Sequence, residues 1–374
     1  MSEAQPGRIP ALDALRGVAI AAMALQHTAF FMRGSFQAES YGGQPIRLMT
    51  WPYWVSGLAV DLNAPTFWLL VGLSIPLMVA KHRRNGESEG AIMLYMMKRA
   101  AALALFDLTI CDWAWRLADP PVPYTHVLLS IALCLTLLSV VRLFPVWLFA
   151  GLTALAVIWY QTLLTEMQMV KVWSETSSVW VAMFLGYRTI GWPALEFGLA
   201  GWFPIVGVGF VLGSVVPPNA MSRPRMWLGV GGALLASWFI LRWIGSFGDL
   251  TPYRPGDEWY RYLMMSKTPL ALTYLLFYLG IASLVLAGLI VAERWICGAP
   301  LSWLTMLGRA SLFVFVCHIL VYSLVTRFAR IITWPVPSIV ASYAVFALGM
   351  ALLIPLANWY SVWRRGFPRS ALLL

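Results

Sequence analysis

Apolar residues run along this chain in long blocks, separated by short polar and charged segments. That pattern differs from the one-sided periodicity of soluble helices and from the alternation of half-buried strands. Ten blocks match a helix crossing a hydrocarbon core, which takes about 20 residues: 14–32, 58–80, 100–117, 124–141, 143–163, 194–216, 227–245, 269–291, 303–326 and 338–358. The pattern predicts an all-α, polytopic membrane helix bundle of about ten transmembrane helices. Residues 1–374 form a single integral-membrane domain, because the spans leave no room for a soluble one. No repeat of fixed period and no inverted half-and-half symmetry is visible, which counts against a transporter built from inverted repeats.

Composition agrees. Of 374 residues, 60% are apolar and 11% charged, against about 45–50% and about 25% in soluble chains. The 29 glycines and 23 prolines are scattered through the spans, as membrane helices tolerate. Many of the 20 tryptophans stand near span ends, including Trp51, Trp54, Trp113, Trp115, Trp192, Trp243, Trp334, Trp359 and Trp363, where an aromatic belt places them. Four cysteines, Cys111, Cys134, Cys297 and Cys317, show neither metal nor disulfide spacing, and no metal is expected. The first span carries Asp13, Arg16 and His27 with no cleavage site, so it is not a removable signal.

Loop charges set the orientation. With the N-terminus inside, the cytoplasmic segments collect most of the 26 Lys and Arg, notably Arg8, Arg16, Lys81, Arg83, Arg84, Lys98, Arg99 and Arg142. The bias places both termini in the cytoplasm of a multi-pass protein, as in a bacterial inner membrane. The net charge of +10 then reflects topology and contact with anionic membrane lipids; no basic domain exists to hold nucleic acid. An apolar interface in a homodimer would look the same in sequence as a lipid-facing surface. Two longer outer loops are expected at 164–193 and 246–268, and a cytoplasmic one at 81–99, KHRRNGESEGAIMLYMMKR.

Ionisable residues inside a bilayer are costly and mark functional sites by default. Here they are Asp13, Arg16, His27, Asp61, Asp107, Asp112, Glu196, Arg309 and His318. His27 lies eleven residues after Arg16, about 16 Å along a helix at 1.5 Å per residue. Eleven residues are about three turns, so the two share a face. An arginine at the membrane edge can hold phosphate bidentately. An imidazole deeper in can take a proton from a hydroxyl or amine; a plain inter-helix hydrogen bond is the alternative. Asp61, on the second span, is expected to orient His27 as a carboxylate does in a triad, or else to cap a broken helix near Asn63 and Pro65. His318 is a second catalytic candidate or a structural partner. Asp107 and Asp112 share no tight face, and Arg116 is placed to neutralise Asp112. His82, among Lys81, Arg83 and Arg84, either sets topology or attracts a polyphosphate, and His126 reads as a surface residue. No phosphate-binding loop, dinucleotide fingerprint, zinc-protease motif or nucleophile elbow is present.

The segment RIPALDALRGVAIAAMALQHTAFF resembles the opening of the heparan-α-glucosaminide N-acetyltransferase catalytic-domain family, including its uncharacterised bacterial members. VDLNAPTFWLLVGLSIPL, GWFPIVGVGFVLG, SKTPLALTYLLFYLGIASLVLAGL and LGRASLFVFVCHILVY resemble later parts of that family in order. The Arg16-to-His27 spacing is also similar to that of the broader membrane acyltransferases that O-acylate surface sugars. The resemblance implies transfer of an acetyl or other acyl group from cytoplasmic acyl-CoA, acetyl-CoA above all, to a glycan or amino-sugar acceptor at the outer face. It implies catalytic roles for His27, Asp61 and His318 and a substrate role for Lys267. Donor phosphates would meet Arg16, Arg83, Arg84 and Lys98, while Trp173 and Trp180 either stack on a sugar or pack in the membrane belt. The rival readings are a proton-coupled transporter or flippase using Asp61, His27 and Asp107 as a relay, and a non-catalytic membrane module.

Overall fold

The computed structural model describes residues 9–32, 39–41, 50–118, 124–125, 127–166, 178–185, 194–195, 197–331 and 339–366. The described chain is a helix bundle with two small parallel two-stranded ladders, Glu39–Tyr41 with Met265–Thr268 and Tyr124–Thr125 with Ala194–Leu195. Each expected span falls on helix. Among the described residues, seven helical stretches are long and apolar enough to cross a membrane, and Val127–Val141 and Leu199–Val215 are apolar but shorter. The third expected span lies within a continuous helical run, α4 (Glu89–Phe106), a π turn (Asp107–Cys111) and α5 (Asp112–Ala118). The ninth is two helices, Ser302–Arg309 and Ser311–Ile331, rather than one from 303. Exposed tryptophans such as Trp113, Trp147, Trp243 and Trp359 stand on the outside of the bundle, as lipid contact requires.

Helix α1 (Pro10–Phe31) starts with a proline and Asp13 in its first turn, both suited to a helix N-terminus. The next span is broken into α2 (Trp51–Val60) and α3 (Asn63–Arg84). Then come α6 (Val127–Val141), α7 (Val146–Glu166), α8 (Val179–Leu185), α9 (Leu199–Val215), α10 (Pro218–Met221) and α11 (Pro224–Ile244). The chain ends with α12 (Leu272–Val291), α13 (Glu293–Cys297), α14 (Ser302–Arg309), α15 (Ser311–Ile331) and α16 (Ile339–Gly366).

Backbone-to-backbone packing sets the frame. A Cβ on Gly17 would lie 2.0 Å from the Leu304 carbonyl oxygen, and one on Gly308 1.7 Å from that of Asp13. Helices α1 and α14 therefore touch through glycines on both sides. Gly72 and Gly209 do the same for α3 and α9, where an added Cβ would lie 1.9 Å from Val206 O and 2.2 Å from Leu69 O. Without a hydrophobic drive between helices in lipid, such close approach supplies the van der Waals contact that holds them.

Two ionic clusters fasten the ends. Between α3 and α4, Glu89 accepts from Arg83 at 2.5 Å and from Arg142 at 2.6 Å; the Arg142 side chain is only 1% exposed. After α11, Arg242 and Asp249 are wholly buried and 2.6 Å apart. Arg242 also donates to the carbonyls of Thr251, Arg261 and Tyr262. One guanidinium thus pins the loop expected at 246–268 against the bundle. Burial pushes the Asp249 carboxyl up, against the pull of Arg242.

Replacing Gly17 or Gly308 by valine is expected to force α1 from α14 and lower thermal stability in detergent, by about 1–3 kcal/mol or more. Gly232→Ala, where an added Cβ meets nothing, should be neutral or stabilising; equal melting shifts at all three would show the contact to be irrelevant. Hydrogen bonds from Arg83 and Arg142 hold the Glu89 carboxyl below its usual range. Its contribution to stability is therefore complete above the unfolded carboxylate pKa of about 4.3 and is lost as pH falls through the lower folded value. Glu89→Gln should flatten that acid limb in a melting-temperature profile between pH 3 and 6.

Candidate active site

Arg16 and His27 lie on α1, as the spacing predicts. His27 Nδ1 and His318 Nε2, on α15, are 2.9 Å apart, and the rings lie nearly parallel with centroids 5.1 Å apart. His318 is fully buried, whereas His27 is half-buried. The indole of Trp115 meets His27 edge-on at 5.3 Å, and Phe31 stands at 6.2 Å. Phe315 and Tyr322, one turn to either side along α15, flank His318 at 5.2 and 6.4 Å. Trp115 follows the π turn 107–111, whose extra residue rotates everything after it relative to a regular helix. Asp107, in that turn, is buried and accepts from the Leu129 backbone N–H at 2.9 Å, tying the turn to the start of α6.

The break between α2 and α3 lies beside the pair. Gln26, the residue before His27, donates to Asp61 Oδ1 at 3.0 Å and accepts from Asn63 Nδ2 at 2.8 Å. Asn63 Nδ2 also donates to the Val60 carbonyl at 2.7 Å, and Tyr274 O–H to the Asp61 carbonyl at 3.1 Å. Backbone acceptors at a break inside the membrane need such partners. Asp61 thus meets Gln26 at the break, where the sequence leaves open both a cap and an orienting carboxylate.

A cavity of about 290 Å³ lies next to Phe315, the neighbour of His318. Arg16, Arg99, Arg309 and Arg364 line it, and Asp13 is the one carboxylate among the described lining residues. Asp13 lies 3.0 Å from Arg16 and 3.7 Å from Arg309. The rest of the lining is mainly apolar, from α3, α4, α6 and α15, and it reaches Phe67 and Phe315. Phe315 therefore borders both the cavity and the His318 ring. An excess of fixed cations over an apolar channel suits an amphiphile with an anionic head.

The other predicted residues lie elsewhere. Arg83 is paired with Glu89, Arg84 donates to the Ala80 carbonyl, and Lys98 is exposed; none of the three lines the cavity. His82 meets Glu87 at 2.8 Å, and Arg116 pairs with Asp112, as expected. Lys267 is buried in the strand Met265–Thr268. Trp180 is exposed on α8. Trp173, His126 and Glu196 lie outside the described residues. Sequence reasoning missed Gln26, Asn63, Trp115, Arg99 and Arg364 as neighbours of the site. Asp13, Arg16 and Arg309, all singled out in the sequence as ionisable residues within the spans, do line the cavity. Among the described residues no cluster of three metal-ligating side chains occurs.

A family model described as an acyltransferase domain matches residues 9–357, nearly the whole chain. No curated protein matches the chain. The match corrects the assignment to the heparan-α-glucosaminide N-acetyltransferase family. An Asp, an Arg-Gly and a His on a small-residue first helix do not distinguish families, since any membrane enzyme needing a cation and an imidazole on one helix face arrives at similar spacing. The Arg16-to-His27 spacing pointed to the broader group, and the match agrees with that. With its apolar helices and this domain over nearly its full length, the chain belongs to the acyltransferase domain family and is a multi-pass membrane acyltransferase.

Proposed function

We propose that this enzyme takes an acyl group from acyl-CoA held in the arginine-lined cavity and passes it to a hydroxyl or amine of a glycan reaching His27 from the opposite side. The observation that carries the reading is the continuity from the cavity through Phe315 to His318 and on to His27. The donor's phosphates meet Arg16, Arg99, Arg309 and Arg364, and its pantetheine arm lies along the apolar lining. With the arginine end at the cytoplasm, the half-buried His27 side faces the acceptor.

The two histidines support base catalysis in one tautomeric arrangement. His27 Nδ1–H donates to His318 Nε2, His318 carries its proton on Nδ1, and the His27 lone pair is on Nε2. The acceptor oxygen or nitrogen attacks the thioester carbonyl while His27 Nε2 takes its proton. The tetrahedral intermediate collapses, the C–S bond breaks, and the CoA sulfur leaves with that proton. His318 stabilises the imidazolium through the hydrogen bond at Nδ1, the part a carboxylate plays in a triad. Asp61, through Gln26, fixes the turn of α1 that carries His27.

Acetyl-CoA binding to the purified protein in detergent tests the donor half. Wild type should bind at micromolar levels, and Arg16→Ala or Arg309→Ala should weaken binding at least about tenfold, or ~1.4 kcal/mol. His27→Ala should retain binding and folding but lose acetyl transfer to cell-envelope glycan by about 10²-fold or more. A folded wild type that binds no acyl-CoA would defeat the reading and make solute flux the property to measure.

A further inference from the structure

Two phenylalanines stand where the cavity borders the histidine pair. Phe315 is 2% exposed and lines the cavity, and its ring meets the His318 ring edge-on at 5.2 Å. Phe67, on α3, lines the same cavity and stands 6.5 Å from Phe315 at a steep angle. Beyond them the histidine pair is enclosed by Trp115, Phe31 and Tyr322. Trp115 itself packs on Phe31 at 4.8 Å and Phe30 at 5.0 Å. The histidine pair thus sits in a close aromatic setting, and neither histidine is among the residues that line the cavity.

We propose that Phe315, backed by Phe67, is the size gate of the donor path and restricts the transferred group to acetyl or one close to it in length. This rests on the reading of the cavity as the acyl-CoA site. With the head group held by the arginines, the arm fills the apolar channel as far as the two phenylalanines. The thioester must pass Phe315 to come within reach of His27. The acyl chain then lies against the aromatic rings around the histidines. Each added methylene there has to displace packed rings, and overpacking a close-packed interior is costly. Phe315 is a specificity-determining residue, and it takes no part in the bond changes.

The test is a chain-length series of CoA, acetyl-CoA, butyryl-CoA and octanoyl-CoA. Affinity is measured by calorimetry on detergent-purified wild type, Phe315→Leu and Phe315→Ala, with melting curves to confirm folding. In wild type, octanoyl-CoA should bind at least about tenfold more weakly than acetyl-CoA, a difference of ~1.4 kcal/mol. Phe315→Ala should remove or reverse that difference, with Phe315→Leu between the two. If the alanine variant does not fold, the leucine variant and Phe67→Leu carry the same comparison. A chain-length profile unchanged by these variants, with CoA itself binding normally, would overturn the gate and leave the donor site intact. Failure of CoA to bind wild type would overturn the donor site and the gate together.

Discussion

How closely α1 can approach its neighbours decides where everything else in the site stands. Gly17 and Gly308 let α1 and α14 meet backbone against backbone. That contact puts Arg16 and Arg309 on the two sides of Asp13, and α15 begins at Ser311, with only Ala310 between it and α14. From there, seven residues of helix raise His318 to the level of His27. A side chain in place of either hydrogen would move the arginines apart and shift the histidines out of hydrogen-bond range together. The cationic end and the imidazole pair are two consequences of one interface.

The interior polar groups follow a second constraint. In a bundle with little internal water, a polar atom needs a partner supplied by another helix. Three departures from regular helix bear on the histidines, and the first two are satisfied by residues distant in sequence. The break after Asp61 is closed by Gln26, Asn63 and Tyr274. The π turn at 107–111 is tied down by the Leu129 amide on Asp107. The stop at Ala310 separates a short helix built for contact with α1 from the longer one that carries His318. Irregular backbone at membrane depth is tolerated where it lines a cavity or is buried in protein, and all three lie within the bundle.

What the sequence reveals divides along the same line. Periodicity and apolar length find a helix at each expected span, and seven of these are long and apolar enough to cross a membrane among the described residues, because membrane thickness acts on each segment separately. The pairing of Arg16 with His27 is legible because both lie on one helix, where spacing alone fixes the face. The pairing of His27 with His318 spans 291 residues, and no local rule reports it. Arg99 and Arg364 looked like ordinary loop and tail charges, since what sets them apart is the hollow between α1, α3, α4, α6 and α15. Arg83 and Arg84 carried the stronger sequence signal as a cluster, yet Glu89 engages Arg83 and a backbone carbonyl engages Arg84. Family assignment failed for a related reason: the motif that drew it encodes one helix face, whereas the family is defined by the whole chain.

The burial of the two histidines also bears on transfer against transport. A transporter exposes one binding site alternately to both sides, so its central groups sit where solute and water reach them in turn. Here His318 is fully enclosed, and Phe315 stands between it and the cavity. His27, hydrogen-bonded to it, is the half-buried member. A whole solute passing this point would have to displace the pair and the aromatic rings around it. On the reading proposed above, an acyl group would need only to reach His27 from one side while its acceptor reached it from the other. Packing that obstructs a whole solute is compatible with a bond exchange at the imidazole, in which only a few atoms move.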